Sequence, residues 1–200
     1  RNRERGWEPL GGSLVFLTLS VWTLTRLTPE TLWWGLGLML AFALLHAATP
    51  IAWRRFRSDS SFTLSPWHQI APALGILLAL LVVIRELPVG PGYWAVILAL
   101  DLIAVGVSVA VGGIVGLLLV LILSIMSAGV WLGMPTGAGV DLAESLFVIG
   151  TFALFFVGTS TWLISRSKPA STTDLTRWMP SLSAMLPFTL LLLVIARIHP

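Results

Sequence analysis

Residues Tyr93 to Leu132 read YWAVILALDLIAVGVSVAVGGIVGLLLVLILSIMSAGVWL, forty positions with one charge, Asp101. A fold surrounded by water has no place for an apolar run of this length. A bilayer does, because each crossing takes about 20 apolar residues. The run is long enough for two crossings, and Gly112-Gly113 is the natural fold point between them. The stretch therefore predicts a multi-pass membrane protein.

The remaining sequence extends this reading. Only 10% of the 200 residues are charged and 56% are hydrophobic, whereas a soluble domain carries roughly 25% charged residues. Most of the surface is expected to face lipid. The high pI, about 10.6, reflects 12 Lys and Arg against 9 Asp and Glu. These basic residues lie at predicted helix ends, where a bilayer favours them, and nucleic acid is not implied. The absence of cysteine excludes disulfides, thiolate catalysis and cysteine metal sites.

Apolar segments and their breakers predict seven helices, over residues 10–25, 31–53, 67–84, 93–110, 114–132, 142–164 and 179–196. Six crossings are the alternative, with the first helix lying in the interface. The tryptophans support these ends independently. All ten, from Trp7 to Trp178, fall at or near a predicted terminus, as expected of an indole half-buried at the headgroup level. Thr28, before Pro29-Glu30, is the expected cap of the second helix. Gly12, Gly35 and Gly37 read as helix-packing glycines.

Lys and Arg divide unequally between the two sides. Nine fall on the side of the N-terminus, among them Arg54, Arg55 and Arg57, and only Arg26, Arg85 and Arg197 on the other. Positive residues stay cytoplasmic, so the N-terminus is expected inside. Arg1 at the start, with no cleavable leader after it, reads as a segment of a longer membrane protein.

Helices one to three recur as helices five to seven. Residues 77–88, LLALLVVIRELP, parallel residues 189–200, TLLLLVIARIHP, with Arg85 over Arg197 and Pro88 over Pro200. Four helices per unit is an even number, so both copies share one orientation, the parallel type of repeat. The expected architecture is an all-α bundle of about seven transmembrane helices. Its first repeat unit covers residues 1–111 and its second, truncated unit 112–200.

The segments FALLHAATPIAWRR (42–55), WMPSLSAMLPF (178–188) and ARIHP (196–200) resemble a large bacterial family of very long multi-pass membrane proteins, catalogued as domain of unknown function 2339. The resemblance implies a bacterial inner-membrane location and many further helices in the same longer chain as partners. It carries over no catalytic residue.

Three residues form the candidate intramembrane polar site. Asp101 lies about 12 Å along its helix from Tyr93 at 1.5 Å per residue, well inside the hydrocarbon, with Ala104 and Ser108 on its face. It reads as a proton or cation site, as a buried carboxylate paired with Arg85, or as a protonated acid. His46 lies about 22 Å from the same side, roughly 10 Å deeper than Asp101, and reads first as a hydrogen-bonded packing residue. Arg85, with Glu86 beside it, reads as an anion-recognition group or a snorkelled anchor. Asp141 and Glu144 complement a helix N-terminus. His68 and His199 make no metal-ligand spacing. Nucleotide-binding, hydrolase and metalloprotease motifs are absent, as are basic patches interleaved with aromatics. No metal, cofactor or nucleic acid is expected; membrane lipids are. The expected function is a non-enzymatic structural or scaffolding membrane module. The alternative is part of a transporter or channel using Asp101.

Overall fold

The computed structural model of the chain describes residues 7–57, 67–87, 89–111, 115–133 and 142–166, and, nearer the C-terminus, residues 181, 185, 187, 189–192 and 194–196. Among the described residues all regular structure is helical. Six helices run continuously: α1 (Trp7–Arg26), α2 (Leu32–Arg57), α3 (Trp67–Ile84), α4 (Pro91–Val111), α5 (Val115–Gly133) and α6 (Leu142–Arg166). Further helical residues between 181 and 196 fall within the expected seventh helix. The Gly112-Gly113 fold point, Asp141, Arg197, His199 and the loops 58–66 and 167–177 lie outside the described residues.

Four of these helices contain stretches long and apolar enough to cross a membrane: Leu32–Thr49, Pro91–Ala110, Gly116–Gly133 and Leu142–Trp162. Helix α3 offers a shorter apolar stretch, Ile70–Ile84. Helix α1 is diluted by polar residues but presents Leu10, Leu14, Leu17, Val21 and Leu24 outward, a stripe at helical spacing. In water such a stripe is a liability; in lipid it is the expected outer face. Hydroxyls along the helices return to their own backbone. Thr18 donates to the Leu14 carbonyl, Ser20 to Phe16, Thr25 to Val21, Thr151 to Phe147 and Ser160 to Phe156, each four residues back at 2.7–2.8 Å. This is how a hydroxyl is satisfied where water is scarce.

The chain forms two compact units, residues 1–120 and 121–200. In the first, α3 is the hub and touches α1, α2 and α4. Its sequence explains this position. Ala71, Ala73, Gly75, Ile76, Leu78, Ala79, Val82 and Val83 are all buried, and a helix apolar on every side belongs inside. The small residues among them let neighbours approach closely. A Cβ built at Gly75 would lie 2.9 Å from Leu100 Cδ2 and 3.5 Å from Ala43 Cβ. Ala43, Gly75 and Leu100 therefore occupy one layer of α2, α3 and α4. Tyr93, the one tyrosine of the chain, is buried and donates its hydroxyl to the Ala79 carbonyl at 3.1 Å, fixing α4 against α3. Pro72 removes a backbone donor from α3 and Pro50 one from α2, yet both helices continue through them, as transmembrane helices tolerate. Helix α2 accordingly reaches Arg57 rather than ending at Trp53.

Thr28 is not the cap of α2: the first bond of the helix runs from the Gly35 amide to the Thr31 carbonyl at 3.0 Å, which makes Thr31 the N-cap residue. The Thr28 amide donates to the Thr31 hydroxyl at 3.0 Å, and the Thr31 amide to the Thr28 carbonyl at 3.1 Å. Pro29 lies inside the turn that these bonds close over residues 28–31, before α2 begins at Leu32. Leu27 and Leu32 flank this turn, and both are buried.

Helix α3 ends in a Schellman turn. The Leu87 amide donates to the Val82 carbonyl at 3.3 Å and the Glu86 amide to Val83 at 2.8 Å, the paired 6→1 and 5→2 bonds of that motif. Its left-handed position is normally glycine; here it is Glu86, at φ 56°. A side chain in this conformation costs about 1–2 kcal/mol, partly offset by the looser unfolded chain that glycine gives. Glu86→Gly is therefore expected to stabilise by about 1 kcal/mol, a rise of roughly 2–4 °C in Tm for a chain of this size. Thermal denaturation in detergent measures it, and an unchanged or lower Tm would refute the strain.

In the second unit, Ser145, Val148, Ile149, Phe152, Phe156 and Ser160 line the buried stripe of α6, opposite exposed Phe147 and Leu154. Residues Phe152 and Phe156 stack with ring centroids 6.3 Å apart. Gly129 of α5 lets Leu190 approach: a Cβ there would meet Leu190 Cδ2 at 3.4 Å.

Candidate functional site

The most clearly bonded of the three polar residues is Arg85. It stands at the C-terminal end of α3, one residue past Ile84, and its side chain crosses to α1. Nη1 donates to the carbonyls of Thr23 at 2.7 Å and Leu27 at 2.8 Å. Both carbonyls belong to the last turn of α1 and the residue after it. A helix end leaves its last four carbonyls without intrahelical donors and carries partial negative charge. A guanidinium there satisfies the carbonyls and opposes the dipole. Arg85 thus caps a helix 58–62 residues earlier in the chain.

This corrects the expected Arg85–Asp101 pair. Asp101 follows Pro91 by ten residues, about 15 Å along α4 at the helical rise, while Arg85 is fixed at the rim. Asp101 is completely buried, and Ile97, Leu100, Ala104 and Ser108 around it on α4 are buried too. A carboxylate at the bilayer centre costs about 2.5–3.5 kcal/mol even on insertion scales. The packing of α4 against α2 and α3 accordingly keeps it off lipid. Two turns further along the same face, Ser108 Oγ is enclosed with no hydrogen-bond partner. Thr23 Oγ1, beside the Arg85 cap, is likewise enclosed and unpartnered.

His46 is half-buried on the inner face of α2. Its Nδ1 lies 2.9 Å from the Phe42 carbonyl. A carbonyl only accepts, so Nδ1 carries a proton and donates it to Phe42. The ring also packs on Phe42, centroids 4.4 Å apart. The layer of Ala43, Gly75 and Leu100 corrects the expected depths. Asp101 is one residue beyond that layer on α4 and His46 three residues beyond it on α2. At 1.5 Å per residue they differ by about 3 Å in depth, not 10 Å. The earlier difference came from counting each helix from its own predicted end.

The structure therefore brings Asp101 and His46 to one level and leaves Arg85 about 15 Å away at the rim. Thr23, Leu27 and Tyr93 are the partners that sequence reading missed. Tyr93 had a signal, since a lone buried tyrosine needs an acceptor. Thr23 and Leu27 had none, because they act through backbone oxygens. Among the described residues no three of His, Asp and Glu converge as metal ligands.

Apolar helices of spanning length, leucine-rich outer faces and hydroxyls turned onto their own backbones define an α-helical membrane protein. No protein-family model, curated protein or solved structure matches the chain.

Proposed function

We propose that this chain is a non-enzymatic structural module of a larger multi-pass membrane protein, a packed helical unit that supports other transmembrane helices. The observation that carries the reading is the pair of hydrogen bonds from Arg85 to the Thr23 and Leu27 carbonyls at the end of α1. The rim arginine joins two helices through its Nη1, and His46 is bonded to its own helix. The reading includes seven crossings, a parallel repeat, the N-terminus in the cytoplasm of a bacterium and a relation to the family of unknown function named above.

A second reading rests on Asp101. Total burial of a carboxylate within α4 suits a proton or cation site of a transporter or channel. Proteoliposomes loaded with a pH-sensitive dye separate the two. The structural reading expects proton flux equal to that of empty liposomes for both wild type and Asp101→Asn. Flux in wild type that is lost in Asp101→Asn would replace it with the transport reading.

A further inference from the structure

Arg85 is pinned on one side only. Among the described residues its hydrogen bonds are the two to Thr23 and Leu27, both from Nη1. A guanidinium has five N–H donors in a fixed plane. Nη1 takes one corner, and the opposite edge, Nε with Nη2, remains. That edge carries two parallel donors with the spacing of two phosphate oxygens, the bidentate geometry that distinguishes arginine from lysine. The two carbonyls remove the usual freedom of a long side chain, so the edge is held in a fixed direction, and less entropy is lost when it binds.

The setting supplies the ligand class. Arg85 is half-buried at the level where α1 and α3 end and α2 and α4 begin. Trp33 marks that level, since a Cβ at Gly92 of α4 would meet its ring, and Trp33 and Trp34 are both exposed. Exposed indoles at helix ends mark the headgroup zone. The rim is not a general positive field. Arg26 and Arg85 are matched there by Glu30 and Glu86, and these acids are exposed. Attraction for an anion comes from the one oriented edge.

We infer that the Nε–Nη2 edge of Arg85 is a binding site for a phosphate group, supplied by the phosphodiester of a membrane lipid. This goes beyond the structural role proposed above and does not depend on it.

The test measures Tm of the detergent-purified chain with added dioleoyl phosphatidylglycerol, with dioleoylglycerol, which has the same tails and no phosphate, and with inorganic phosphate. Arg85→Lys retains a cation able to reach one α1 carbonyl but lacks the bidentate edge. Gly75→Ala, destabilised against Leu100 about 15 Å along α3 from the edge, controls for lower stability alone. Phosphatidylglycerol at about a hundredfold over its Kd is expected to raise Tm by roughly 5 °C in wild type and in Gly75→Ala. In Arg85→Lys the rise is expected to fall below about 1 °C, and dioleoylglycerol should have no effect. An equal rise in Arg85→Lys, an equal rise with dioleoylglycerol, or no rise in wild type would overturn the site. If inorganic phosphate alone gives the full rise and Arg85→Lys abolishes it, the site stands and its ligand is the soluble anion instead.

Discussion

Arg85→Gln is expected to lower the stability of the detergent-purified chain by about 3 kcal/mol. Each bond from a charged donor contributes roughly 1.5–3 kcal/mol, and the substitution leaves the Thr23 and Leu27 carbonyls without their donor at the end of α1. Glutamine is shorter and neutral, so it restores neither the bonds nor the opposition to the helix dipole. The loss corresponds to a fall of about 6–12 °C in Tm. Arg85→Lys is expected to recover about half, since an ammonium reaches one carbonyl but does not span both. A Tm within a degree of wild type for Arg85→Gln would show that the cap contributes nothing. Adding Asp101→Asn to Arg85→Gln should give the sum of the two single effects, because groups about 15 Å apart along the helices do not share an interaction.

Gly35→Ala and Gly37→Ala should shift stability in opposite directions. The two positions differ by two residues on α2 and face opposite ways. At Gly35 a Cβ would lie 2.6 Å from Leu27 Cδ1 and 3.2 Å from Trp22 Cζ3. Leu27 is 1% exposed, so moving its Cδ1 disturbs a buried side chain. Overpacking of this kind costs about 1–3 kcal/mol, and it strikes the residue whose carbonyl Arg85 holds. Alanine's better helix propensity returns less than about 1 kcal/mol, so a net loss near 2 kcal/mol is expected. At Gly37 nothing lies within 4 Å, and only the propensity gain remains. Guanidinium-free thermal scans of the pair in one detergent decide the matter. Equal shifts for both would mean that α1 and α2 are not in contact at Gly35.

The contrast between these glycines marks where sequence reading stops. Both occur in the same apolar helix, and both read as packing glycines. Spacing alone does not say which one faces α1, because α2 is apolar around most of its circumference and gives no polar side to orient it. Where breakers and charges punctuate the chain, the reading carried further. The ends of α3 at Trp67 and Ile84 fall where expected, and α4 and α5 stop on either side of Gly112-Gly113. The burial of Asp101 followed from its isolation in a long apolar run. The destination of Arg85 did not, since its acceptors are backbone oxygens some sixty residues away and leave no trace in residue identity. The turn at Glu86 was hidden for a related reason: its backbone is left-handed without the glycine that would have announced it.

The cap on α1 also sets an order of events during synthesis. Leu27 leaves the ribosome 58 residues before the arginine that secures it. At about 5–20 residues per second, α1 and the start of α2 wait roughly 3–12 s in the membrane before that arginine exists. Through that interval the Thr23 and Leu27 carbonyls lack the donor that later joins them to α3. Helix α1 is therefore fastened only after α3 is complete.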